Sequence, residues 1–192
     1  MKKIHSSNLE YLFFIFISIL FSLVRPYEQV ALDGGLVLSG KILYPDGINI
    51  MKYYYYNSWT ILHQIIAVLI KLNFSNVLIS RIIIFFSTLF FVVGVYLITK
   101  TITNNKIFSI FLSLFIVIFK KNFGAVEYET TMFSIHTYGM ISLALTTLIL
   151  GTNALKNLNL SIFFSFLLIG IHPIVGSWIF LMHVISLIIY NY

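Results

Sequence analysis

Long apolar runs alternate with brief polar stretches along the chain: Tyr11 to Val24, Trp59 to Leu72, Val77 to Ile98, Ile107 to Phe119, Tyr138 to Leu150, Leu160 to Ile171 and Ile174 to Tyr190. A soluble core needs only short apolar stripes, so recurring runs of this kind predict helices that face lipid. The predicted fold is all-α, a polytopic transmembrane helix bundle of about six spans. Only the Val77 run reaches the roughly 20 residues that cross a ~30 Å hydrocarbon layer comfortably. Trp59 to Leu72 is ambiguous. It carries His63, Gln64 and Lys71, and as a helix it would rise only about 21 Å, which suits an interfacial helix or a short span. Trp59 and the tyrosines before it belong at headgroup level, where amphipathic rings collect.

The polar segment 25–58 between the first two runs reads as an outer loop. It holds Glu28, Asp33, Asp46 and the run Tyr53 to Tyr56. Residues 1–192 read as a single transmembrane domain. Because the last apolar run continues to Tyr190 with only Asn191 and Tyr192 after it, the expectation is the front part of a longer protein. Met1-Lys2-Lys3 before an apolar run resembles a signal peptide, but Val24-Arg25-Pro26-Tyr27 offers no small-residue cleavage site. An uncleaved first span with a cytoplasmic N-terminus is expected instead.

Composition agrees with the pattern. The chain is 59% hydrophobic and 9% charged, where a soluble domain carries roughly a quarter charged residues. The formal charge of +6 comes from basic residues scattered at the ends of the apolar runs. Such residues anchor at headgroups, and no basic stripe for nucleic acid is present. With no cysteine, disulfides and thiolate metal sites are excluded. Loop charge does not choose a topology. If the Trp59 segment skims the surface, five basic residues (Lys2, Lys3, Lys100, Lys106 and Lys156) lie inside and seven outside; if it spans, the split is even. Skimming gathers Asp33, Asp46, Glu127, Glu129, His136 and His172 on the outer side, as a site requires.

Asp33, just beyond the first span, can take a proton from an acceptor hydroxyl or amine, or hold a divalent cation through oxygen. It can equally be a helix cap or an Asx-turn before Gly34-Gly35. In an extended stretch, Glu127 and Glu129 point to the same side and can share a divalent cation such as Mg or Mn; alternatively, they solvate a loop and balance Lys120 and Lys121. His172-Pro173 marks a helix break, which either lines a cavity or is a plain kink between two spans.

Taken together, Asp33, the Gly40-x-x-x-Tyr44-x-Asp46 step, Trp59-x-x-x-His63, Lys71, Ser75 and Arg81 resemble the N-terminal part of GT-C fold glycosyltransferases, over about residues 5 to 106. The superfamily includes protein mannosyltransferases and aminoarabinose transferases. The chain departs from it in having Gly34-Gly35 after Asp33, where a second acid is usual, and Asn57-Ser58-Trp59 in place of a proline-rich step. The resemblance implies that Asp33 is the catalytic base and Trp59 to Leu72 a helix on the membrane surface. It further implies a polyprenyl-phosphate sugar donor used on the outer face, in a bacterial inner membrane. Tyr44, Asp46, Arg81, Lys121 and His172 would bind substrate, with Arg81 and Lys121 facing the lipid phosphate. A metal, where used, would fall to Glu127 and Glu129. A transporter or flippase, or a multi-pass protein without chemistry, is the competing expectation.

Overall fold

The structure, a computed structural model, describes residues 8–24, 32–44, 50–57, 60–118 and 138–190. The chain is all-α: the described residues are 88% helical and contain no strand. The helices are α1 (Asn8–Val24), α2 (Asp33–Leu38), α3 (Ile50–Tyr56), α4 (Ile61–Lys71), α5 (Asn76–Thr103), α6 (Lys106–Ile118), α7 (Tyr138–Ala154), α8 (Leu158–Ile171) and α9 (Pro173–Tyr190). One of them, α5, is long and apolar enough to cross a membrane.

The breaks between helices follow from short polar residues at the connections. Asn73, Asn104 and Lys156 take positive φ, the left-handed conformation that ends a helix and that asparagine tolerates best. Directly after each of them a new N-terminus is capped. Ser75 Oγ accepts from Leu78 N (3.2 Å) at α5, Asn105 Oδ1 from Phe108 N (3.0 Å) at α6, and Asn157 Oδ1 from Leu160 N (3.3 Å) at α8. Pro173 opens α9, a position where its missing N–H costs nothing.

Contacts between helices set their directions. Glu10 near the start of α1 meets Tyr96 near the end of α5, so these two are antiparallel. Gly94 of α5 lies against Thr147 and Gly151 of α7, while Ile79 and Ile83 share a cluster with Ile141, so α5 and α7 run parallel. Ser161 reaches Ile149 and His183, which turns α8 against α7 and α9 against α8. Helices α1 and α5 to α9 thus alternate between two ends. The Lys106 end holds the start of α1 and the α5–α6 and α7–α8 turns; the Asp33 end holds the α8–α9 turn and the start of α5.

The short helices α2 and α4 sit at the Asp33 end. Leu32, Leu36, Ile66 and Ile70 are buried with Ile79 and Ile83 in one cluster. Both ends of α4 meet the bundle there: Ile61 touches Gly170 near the end of α8, and Ile70 packs by the first turns of α5. At about 16 Å long, α4 lies across this end.

On two of the helices small residues face inward and phenylalanines outward. On α6, Ser109, Ser113 and Val117 are buried while Phe108, Phe111 and Phe115 are exposed; on α8, Ser161 and Ser165 are buried while Phe163 and Phe166 are exposed. On α6 and α8 the inward serines return their hydroxyls to helix carbonyls one turn back, as with Ser109 to Asn105 (2.7 Å), Ser113 to Ile110 (2.8 Å) and Ser165 to Ser161 (2.9 Å), which satisfies those hydroxyls within narrow interfaces. The buried hydroxyls of Ser18, Ser80, Thr88 and Thr146 have no such partner among the described residues.

Candidate functional site

Asp33 is the first residue of α2, and the residue in the cap position is Leu32, which has no side-chain cap bond. The cap reading of Asp33 therefore does not describe it: its carboxylate is the acidic group of the first turn, and no hydrogen bond to it occurs among the described residues. It is half-buried, and desolvation raises its pKa above the ordinary carboxylate value. Desolvation works against the charged form, and a carboxyl whose pKa is raised in this way is a candidate for taking up a proton.

Glycine allows this placement. A Cβ at Gly34 would overlap the His63 ring, and one at Gly35 would overlap Ile66. The pair therefore lets the α2 backbone press directly onto α4. His63 is fully buried, and desolvation pulls its pKa down to about 4, so it is neutral at physiological pH. The Tyr55 ring of α3 stands edge-on to it with centroids 5.9 Å apart. Burial raises the Tyr55 hydroxyl first, and Asp33, Tyr44 and Tyr54 then add to the shift. One carboxyl, a neutral imidazole and two phenols (Asp33, His63, Tyr44 and Tyr55) thus share the Asp33 end, carried by α2, α3, α4 and the turn after α2. Such a group can accept a proton at Asp33 and offer hydroxyl donors beside it.

The other nominated residues fall elsewhere. Arg81 is exposed on α5. Two residues from Ile79 and from Ile83, which face α2 and α4, it lies on the far side of the helix, so it belongs to the same end but not to the same face. His172 is half-buried in the α8–α9 turn, where Nδ1 accepts from Val175 N at 3.5 Å. That contact is local to the first turn of α9. Asp46, Lys121, Glu127, Glu129 and His136 lie outside the described residues. Among the described residues no three His, Asp or Glu side chains gather to hold a metal.

Two polar constellations escaped the sequence reading. Glu10 is buried, ion-paired with Lys106, and accepts from the Tyr96 hydroxyl at 3.2 Å. Ser161 Oγ donates to the Ile149 carbonyl (3.1 Å) and lies 2.9 Å from His183 Nε2, tying α7, α8 and α9 together. Both belong to the Lys106 half and join helices. Compared with protein-family models, curated proteins and solved structures, the chain matches none.

Proposed function

We propose that the protein is a multi-pass membrane glycosyltransferase of the GT-C type, transferring a sugar from a polyprenyl-phosphate donor on the outer face of a bacterial inner membrane, with Asp33 as general base. The observation that carries this reading is the half-buried Asp33 carboxyl, without a hydrogen-bonding donor among the described residues, beside Tyr44, Tyr55 and His63 at one end of an alternating helix bundle. The membrane part rests on the long apolar helix α5 and on α6 and α8, whose serines are buried while Phe108, Phe111, Phe115, Phe163 and Phe166 are exposed, a distribution suited to hydrocarbon and costly in water. In this reading α1 and α5 to α9 cross the bilayer and α4 lies on its outer surface.

The chemistry is a displacement at the anomeric carbon. Asp33 takes the proton of the acceptor hydroxyl or amine as that atom bonds to the sugar, and the bond to phosphate breaks with its electrons leaving on the lipid phosphate. Arg81 belongs to the same end of the bundle but lies on the other side of α5 from α2, so the cationic stabilisation of the leaving phosphate is not assigned to it.

Two experiments test the reading. Asp33→Asn in the full-length protein is expected to abolish sugar transfer while thermal stability in detergent stays level or rises. The sign follows from the raised pKa: folding disfavours the Asp33 charge, so above its pKa the carboxylate costs stability, and a neutral side chain removes that cost. In the wild type, transfer should fall on the acid side at a pH above the ordinary carboxylate range. Undiminished transfer by Asp33→Asn removes the base from the mechanism. For topology, the cysteine-free chain suits single-cysteine labelling: Lys41→Cys is expected to react with an impermeant maleimide on intact cells, and Lys156→Cys only after permeabilisation. Equal reactivity on intact cells sinks the two-sided arrangement.

A further inference from the structure

A cavity of about 430 Å³ opens on the side of the bundle between α1 and α8, over α5 and α7. Its walls are apolar along most of their length, with Ile15, Leu89, Phe90, Val93 and Phe164 among them. The polar residues of its lining are Tyr11, Thr152 and Asn157, and each stands near the Lys106 end: at the start of α1, at the end of α7 and at the cap of α8. Two cations sit at the same mouth. Lys156 is exposed between the lining residues Leu155 and Asn157. Lys100 is half-buried, lies over the Tyr96 ring at 5.3 Å and acts electrostatically on Tyr11. Lys106 is paired with Glu10, whereas neither Lys100 nor Lys156 has an anionic partner among the described residues.

A greasy slot whose one polar end carries two cations with no ion pair among the described residues is complementary to an amphiphile with a hydrocarbon tail and an anionic head. We infer that this groove binds one anionic phospholipid from the leaflet opposite Asp33, an acyl chain lying along Val93 and Phe164 and the phosphate between Lys100 and Lys156. Basic pockets between spanning helices hold anionic headgroups in this way, and the cavity volume is in the range of sites that enclose a small ligand. The inference depends on the membrane reading but not on the sugar-transfer reading, because the groove lies at the other end of the bundle from Asp33.

The test is native mass spectrometry on the full chain in detergent, titrated with dioleoyl phosphatidylglycerol or with dioleoyl phosphatidylcholine. One phosphatidylglycerol is expected to be retained per chain, about thirtyfold more tightly than phosphatidylcholine, given roughly 1 kcal/mol for each of the two lysines near the headgroup. The Lys100→Gln/Lys156→Gln variant should lose that preference, and Leu160→Trp, which fills the slot from a half-exposed position, should lose retention of both lipids. Lys71→Gln, at the Asp33 end, should behave as wild type. Equal retention of the two lipids by the wild type overturns the proposal, and so does full retention by Leu160→Trp. A dimer that Leu160→Trp splits would assign the groove to a second copy and overturns it as well. A failure of the membrane reading is seen separately, as protein released from membranes by alkaline carbonate without detergent.

Discussion

Gly94→Leu is expected to destabilise the protein by about 3 kcal/mol or more, the upper range for overpacking at a site that has no room to relax. A Cβ at Gly94 would fall on the Thr147 carbonyl and the Leu148 nitrogen, and one at Gly151 would come within 2.8 Å of the Gly94 carbonyl oxygen and 3.0 Å of Leu97 Cβ. These obstacles are largely backbone, which moves only when a whole helix moves. Under the proposed membrane reading the contact carries extra weight, because hydrocarbon removes the solvent-driven attraction between apolar helices and close backbone approach at small residues supplies much of what holds them together. Helix α5 touches α1, α6 and α7, so its separation from α7 opens the centre of the bundle. Denaturation in bicelles or thermal unfolding in detergent measures the effect, with Val95→Leu on the same helix as the control. A Gly94→Leu protein that melts with the wild type would mean that α5 and α7 do not cross at this point.

Helix positions were largely legible in the sequence because an uninterrupted apolar run bounded by Asn, Ser or Pro has one economical structure in any environment. Each run became a helix with ends displaced by only a few residues, as Ile107 to Phe119 became Lys106–Ile118. What was illegible depends on contacts distant in sequence. Gly34-Gly35 looks like a turn because glycine is a poor helix former, yet both glycines lie within α2, where the tight contact with His63 and Ile66 requires them. The run Tyr53 to Tyr56 was legible as interfacial aromatics, but its helical state in α3 and the placing of Tyr55 on His63 were not. Asp33 was legible as a candidate from its position after the first run. Arg81 at the head of the long span is legible as a cation, and the spacing of Ile79 and Ile83 on either side of it places it on the opposite side of α5. Glu10 went unread because an acid before an apolar run passes for a solvated residue, and its Tyr96 partner is 86 positions away.

That acid gives the second large effect, and it is asymmetric. Lys106→Met is expected to cost about 3 kcal/mol, the lower part of the range for stranding a buried charge, whereas Glu10→Gln should cost less than about 1 kcal/mol, the scale of one neutral hydrogen bond. The two partners differ in their access to water. Glu10 is 6% exposed and Lys106 45%, so an ammonium that loses its partner recovers hydration, while a carboxylate that loses its partner stays among the Phe14 and Tyr96 rings, which pack 5.1 Å apart. Glutamine also keeps an oxygen for the Tyr96 hydroxyl. The double variant Glu10→Gln/Lys106→Met should recover most of the stability lost by Lys106→Met alone, giving a coupling energy of about 1–3 kcal/mol. Equal losses from the two single variants, with additivity in the double, would show that the Glu10–Lys106 pair is not buried against α1, α5 and α6 as described. Because the pair joins the start of α1 to the α5–α6 turn, its loss should loosen the Lys106 end and leave the α2–α4 packing around Asp33 intact, so that any sugar transfer measured in Lys106→Met per folded molecule stays near wild type.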